Sequence, residues 1–176
     1  MGHLVEKYNS AYFLRKDEEG NDLSYGVEGI ESFLKGELRQ HDKEVLGHVR
    51  FAGANVLEFG FGRGETIKYI LEQGAGSYTG IDFSESACAI ARDFLAKYSI
   101  SGPTVVCADA LDFIRSYGAR AASEKVPAID VVVMLDFVEH VPRAELREIL
   151  LALHPIVAPN VVLVINTPDF PFDNDV

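Results

Sequence analysis

Residues 56–64 read Val56-Leu57-Glu58-Phe59-Gly60-Phe61-Gly62-Arg63-Gly64, an apolar run ending on a carboxylate and then three glycines at alternating positions. A short apolar run of this kind fits a strand covered on both faces, and the glycines let the backbone turn sharply with no Cβ to keep a ligand away. From here onward the chain alternates short apolar runs with helical patterns, the signature of βαβ units and a parallel sheet. The runs fall at residues 55–59, 77–81, 104–108, 129–135 and 161–165, and they are rich in Val and Ile. Between them, Ile67, Ile70 and Leu71, then Ala87, Ile90, Ala91, Phe94 and Leu95, then Leu146, Ile149, Leu150 and Leu153 recur at helical spacing. Ser84 or Ser86 suits a helix N-cap, and Pro142 suits a first helical turn, where its missing N–H does no harm.

Parallel βαβ connections are right-handed, so a central first strand makes the sheet reverse direction beside it and opens a crevice at the strands' C-terminal ends. Four carboxylates fall at those ends: Glu58, Asp82, Asp109 and Asp136, separated by 24, 27 and 27 residues, one βα unit each. Asp82 can accept both ribose hydroxyls of a nucleoside, and Asp109 can accept from an adenine amino group while the backbone N–H at Ala110 meets a ring nitrogen. Taken singly, each acid also fits a helix N-cap or first turn. The glycines do not match a dinucleotide fingerprint: counted from Gly60 the third glycine position holds Glu65, and counted from Gly62 it holds Ile67. No Gly-Lys pair opens the helix, which excludes the P-loop pattern. Glu58 would repel a pyrophosphate but attract the ammonium of a methionine moiety, directly or through water.

These segments resemble the class I S-adenosylmethionine-dependent methyltransferases, and among them the ubiquinone-biosynthesis-like small-molecule group, over about residues 54–168. Residues 56–64 resemble the family's first motif, and Tyr78-Thr79-Gly80-Ile81-Asp82-Phe83-Ser84 its ribose-binding strand. Val106-Cys107-Ala108-Asp109-Ala110 is similar to the adenine-contacting segment, and residues 130–141 to the fourth strand and its following turn. The resemblance implies that Glu58, Gly60 and Gly62 line the methionine end of the cofactor, Asp82 and Phe83 its ribose, Asp109 and Ala110 its adenine, and Leu135 and Asp136 its far side, with Phe61 also among the cofactor-binding residues.

The expected architecture is therefore a Rossmann-like, doubly wound α/β sheet spanning residues 55–176, with an N-terminal helical cap over residues 1–54. Residues 27–49 read as mostly helical, residues 20–26 as a loop, and residues 117–127 as a flexible insertion before the fourth strand. Tyr8, Tyr12, Phe13 and Tyr25 fit either the core or a lid over the cofactor. After the fifth strand comes a Pro- and Asp-rich tail in place of the family's further helix and antiparallel hairpin, so that strand is expected at an exposed edge, covered by a second copy or a partner, in a C-terminally incomplete core.

The expected activity is transfer of a methyl group from S-adenosylmethionine to an O or N atom of a small molecule, leaving S-adenosylhomocysteine. Because the sulfonium leaving group is already activated, the protein mainly positions the acceptor and excludes water. For a hydroxyl acceptor, His140 beside Glu139 is the candidate general base. Asp136, Glu139 and His140 also resemble the metal-binding segment of some family members, but a divalent metal is not predicted, since further ligands would be needed. An RNA methyltransferase and a noncatalytic Rossmann-like interaction module are the alternatives.

Composition bears on that choice. The 176 residues carry 27 acidic and 16 basic side chains, a net charge of −11 that repels phosphate backbones and makes nucleic acid an unlikely partner. No run approaches the roughly 20 apolar residues of a membrane span, and residues 1–10 lack the apolar region of a secretory signal, so a cytoplasmic location is expected. Cys88 and Cys107 form no ligand pattern and are expected as reduced, buried thiols.

Overall fold

The structure is a computed structural model that describes residues 8–14, 29–124 and 126–167. Its centre is a five-stranded parallel sheet of β1 (Asn55–Phe59), β2 (Ser77–Asp82), β3 (Thr104–Cys107), β4 (Ile129–Leu135) and β5 (Val157–Asn166), in the order β3-β2-β1-β4-β5. Around it lie α1 (Ser10–Leu14), α2 (Gly29–Lys35), α3 (Gln40–Leu46), α4 (Glu65–Glu72), α5 (Glu85–Lys97), α6 (Ala110–Ser123) and α7 (Arg143–Leu153). The chain runs outward from β1 to β3, then returns to pair β4 on the other side of β1. This reversal beside β1 is the expected switch point.

Alternation along β1 decides which side chain joins which layer. Val56 packs with Tyr78, Ile67, Ile70, Ala91 and Val131 on one face, while Leu57 and Phe59 pack with Ile81, Ile114, Met134 and Ile149 on the other. Each of the buried Val, Leu, Ile, Phe and Met side chains contributes roughly 1.5–3 kcal/mol of transfer free energy. The N-terminal residues Tyr8, Phe13, Leu38, Leu46 and Phe51 belong to the first layer, so the cap shares the sheet's own core. No helix among the described residues is long and apolar enough to cross a membrane.

Three sequence readings need correction and one is sharpened. Residues 27–49, expected as mostly helical, hold α2 and α3, separated where Gly36 takes a φ of +72°. The flexible insertion expected at residues 117–127 is mostly helix: α6 continues to Ser123 because Phe113, Ile114, Tyr117 and Ala121 form a stripe that packs on the second layer. Gly118 obscured that stripe, and it sits where a Cβ would meet Ile156 at 3.7 Å. The fifth strand begins at Val157, and its pairing with β4 shifts register between Ile129 and Val131, next to Pro159, which has no N–H to give a ladder. Cys88 is buried as expected, but Cys107 is exposed, because it stands at the end of edge strand β3; both are free thiols. Tyr25 and the tail from Pro168 onward lie outside the described residues.

Candidate active site

A cavity of about 520 Å³ opens at the C-terminal ends of the strands, within the range of small-molecule and cofactor sites. It is lined by Glu58, Gly60, Phe61, Asp82, Phe83, Asp109, Ala110, Leu135, Asp136 and His140, that is, every site residue expected from sequence except Gly62. Gly62 acts from behind the wall: its N–H donates to Asp82 Oδ2 at 3.1 Å.

Asp82 is the best-anchored of these groups. It ends β2, Ser84 N donates to its Oδ1 at 2.9 Å, and it is 7% exposed. Two fixed donors set the plane of the carboxylate, and each oxygen keeps a second lone pair for a hydroxyl in the cavity. Burial pushes its pKa up to about 6, while the N–H groups of Ser84 and Gly62 act the other way. Ser84 also caps α5 through Ala87 N at 3.2 Å and donates its hydroxyl to Tyr8 O at 2.6 Å, which ties the N-terminal segment to the same turn.

Asp109 caps α6, with Oδ1 accepting from Leu111 N at 2.9 Å and Asp112 N at 3.1 Å. The cap function and the cavity position coexist, because one oxygen does the capping and the residue still lines the wall with Ala110. Glu58 lies deeper. It is 1% exposed, and its Oε2 accepts a hydrogen bond from Tyr78 Oη. Burial raises its pKa to about 7, the Tyr78 hydroxyl working against that rise, so at neutral pH it carries only part of a negative charge. Its pull on an ammonium is correspondingly weaker than a solvated carboxylate in that place would exert.

Gly60 sits at φ +72° where a Cβ would come within 3.1 Å of the Phe137 ring, so any other residue there would be strained and would push on that ring. Asp136, after β4, is also left-handed at φ +48°, a conformation that Asp tolerates better than most residues. Its carboxylate is engaged by side chains: Arg39 Nη2 donates to Oδ2 at 2.9 Å and Asn166 Nδ2 to Oδ1 at 3.2 Å. Arg39 also holds the buried Asp42 through Nε at 2.7 Å and Nη2 at 3.1 Å. These two carboxylates raise the guanidinium's pKa against the opposing effect of its burial.

His140 ends a 3-10 turn, Val138–His140, with Nε2 at 3.9 Å from Glu139 Oε1 and its ring 5.7 Å from that of Tyr8. Tyr8 also meets Tyr12 at 4.7 Å and Phe83 at 5.4 Å, all edge-on. Asp136 is committed to Arg39, and no group of three or more His, Cys, Asp or Glu gathers as a metal site among the described residues. Asp136, Glu139 and His140 therefore do not fit a divalent cation in this arrangement.

Sequence reasoning missed Arg39, Asp42 and Arg63. Arg63 is 2% exposed, donates to Phe13 O at 3.4 Å and Gly29 O at 2.8 Å, pairs with Glu65 at 2.9 Å and lies over the Phe33 ring. It fastens the glycine loop to the N-terminal helices. A cation inside the glycine run was the available signal. Arg39 gave none, because its partner Asp136 is 97 residues away.

Residues 57–163 match the family described as a methyltransferase domain. The chain belongs to the class I S-adenosylmethionine-dependent methyltransferases. Among its curated relatives within this family is the ubiquinone biosynthesis O-methyltransferase of Azotobacter vinelandii, 31% identical over 112 residues, which are 64% of this chain and 43% of that protein. The chain thus spans less than half the length of this relative. Among solved structures, a protein studied for conversion of a disulfide bond into a thioacetal group during echinomycin biosynthesis is 26% identical, with a TM-score of 0.57 over 70% of this chain and 48% of that one. The DhpI-SAM-HEP complex superposes on this methyltransferase with a TM-score of 0.59 over 92% of this chain and 63% of that one; at 18% identity it shows the shared fold alone.

Proposed function

We propose that this chain binds S-adenosylmethionine in the cavity beside β1 and transfers its methyl group to an oxygen or nitrogen of a small molecule. The observation that carries this reading is Asp82: a buried carboxylate fixed by Gly62 N and Ser84 N, with lone pairs left to accept two ribose hydroxyls. Asp109 and Ala110 lie on the same wall for the adenine, and Leu135 and Phe83 supply apolar contacts to the bound nucleoside. The bound cofactor supplies a methyl group on a sulfonium, a leaving group that needs no acid. The chain's residues then orient the acceptor and exclude water, and His140, 38% exposed beside Glu139, can take a proton from a hydroxyl and pass it to solvent.

A net charge of −11 and an acid-rich wall support a small acceptor over a phosphate-bearing one. The test is calorimetric titration of the whole chain with S-adenosylhomocysteine. Saturable one-to-one binding in the micromolar range is expected, and no heat at high micromolar ligand overturns the reading.

A further inference from the structure

Outside the cavity, the two cysteines of the chain come together behind its nucleoside end. Cys107 is the last residue of edge strand β3, in register with Asp82 of β2, and Cys88 lies in the first turn of α5, which packs over those strands. Their sulfurs gather on one short stretch of backbone. Cys88 Sγ is 3.6 Å from Asp82 O and 3.9 Å from Val106 O, and Cys107 Sγ is 4.0 Å from Phe83 O. The thiols also interact with each other: burial is the main cause of the raised Cys88 pKa, and the neighbouring Cys107 thiol adds to the rise. In exposure the two differ. Cys88 is 1% exposed, whereas Cys107 is open to solvent and stands just outside the cavity wall, which takes up the chain at the next residue, Ala108. An accessible thiol beside a second, sheltered one is the arrangement in which a small oxidant attacks the first and the second resolves it.

From the adjacency of the two thiols, the exposure of Cys107 and their shared hold on the Asp82–Phe83 backbone, we infer that Cys107 is a site of reversible oxidation by a hydroperoxide, resolved by Cys88 into an intramolecular disulfide that weakens cofactor binding. In the first step the Cys107 thiolate attacks a peroxide oxygen: an S–O bond forms, the O–O bond breaks, and the departing hydroxide takes up a proton as water. The Cys88 sulfur then displaces the remaining hydroxyl, so that the S–S bond forms, the S–O bond breaks, and the Cys88 proton leaves with the hydroxide as a second water. The two sulfurs together lose two electrons and the peroxide gains them. The consequence for the cavity follows from what the thiols hold. Asp82 O accepts from Ala108 N at 3.0 Å as well as from Cys88, a joint between the end of β2 and the segment that leads into Asp109 and Ala110. Oxidation removes both S–H donors and draws α5 toward β3, because bonded sulfurs sit closer than two thiols in contact. Phe83, Asp109 and Ala110 on the wall shift with that joint. The effect on binding rests on the cofactor reading above; formation of the disulfide does not.

The test compares the whole chain kept in dithiothreitol with the same chain treated with hydrogen peroxide. Non-reducing peptide mapping of the oxidised chain should find Cys88 joined to Cys107, with the intact mass of a single chain less two hydrogen atoms. Calorimetric titration should then show S-adenosylhomocysteine binding at least about fivefold weaker than in the reduced chain, roughly one hydrogen bond lost, and dithiothreitol should restore it. Cys107→Ser should bind the ligand within about twofold of the reduced wild type and keep that affinity after peroxide. Cys88→Ala should leave Cys107 as its sulfenic acid, trapped by dimedone. A product joined between two chains, no Cys88–Cys107 link, or an unchanged affinity in the linked chain overturns the inference while the cofactor reading stands. An equal loss of affinity in Cys107→Ser after peroxide also overturns it, since the oxidation that matters would then lie elsewhere in the chain. Should either variant fail to fold, the link and its reversal in the wild type still decide. Absence of S-adenosylhomocysteine binding by the reduced chain overturns the cofactor reading itself, and with it the regulatory half, while the mapped link still tests the redox pair.

Discussion

Asp82 ends β2 and Asp136 directly follows β4, the two strands that flank β1, yet they are held in opposite ways. Asp82 is fixed by backbone N–H groups from its own turn and from the glycine loop, all within about one βα unit. Asp136 is held by Arg39, which reaches it from the N-terminal cap, and by Asn166 at the end of β5. The difference separates a local, backbone-defined ligand group from one that exists in this form only when distant elements have assembled. The first is set when β1, β2 and their loops form, whereas the second reports on the completeness of the whole fold.

Breaking the local half should have the largest effect. Asp82→Ala removes acceptors for two ribose hydroxyls, about 3 kcal/mol, or roughly a hundredfold in S-adenosylhomocysteine affinity. An unchanged dissociation constant by calorimetry would refute the ribose role. Breaking the distant half should act first on stability: Arg39→Ala leaves the buried Asp42 and the half-buried Asp136 without their cation. A loss of about 2 kcal/mol in urea unfolding is expected, below that of a fully buried pair because Arg39 is partly solvated. A midpoint equal to wild type would show that the cap is not fastened through this residue.

The smallest effect sharpens the comparison through pH. The folded-state pKa of Asp82 is about 6, above the ordinary carboxylate value because the group is buried. Its ionised form is the one that accepts two hydroxyls, so ligand affinity should fall by up to about tenfold per unit as pH drops below about 6. In the unliganded protein the sign is reversed: the raised pKa contributes stability that is full below the unfolded value and is lost as pH rises through about 6. Affinity that is flat from neutrality to acid pH would place the ribose on another group.

What could be read from the sequence follows the same division. The strands, the reversal beside β1, and Asp82 and Asp109 were legible because each depends on a short stretch with its own period, turn or cap. β1 and β4 match the expected ranges residue for residue. The Arg39 cluster was not legible, since it joins the N-terminal cap to a group that only the folded chain brings near, and of the Arg63 anchor only the cation inside the glycine run could be read. Glu58 was read as a charged group, and only its burial with Tyr78 shows how far its ionisation is suppressed. The long α6 was hidden by Gly118, whose weak helix propensity is outweighed by the packing of Phe113, Ile114, Tyr117 and Ala121 on the second layer.

Among the described residues β5 forms one edge of the sheet, and Val162, Leu163 and Ile165 on it are 46%, 43% and 46% exposed, with Leu150 and Leu151 of α7 also open to solvent. Such an edge invites pairing with another strand of its kind. The net charge of −11 then acts as a colloidal barrier that keeps copies of the chain apart at low ionic strength. At about 1 M salt, where charges are screened within about 3 Å, that barrier is gone.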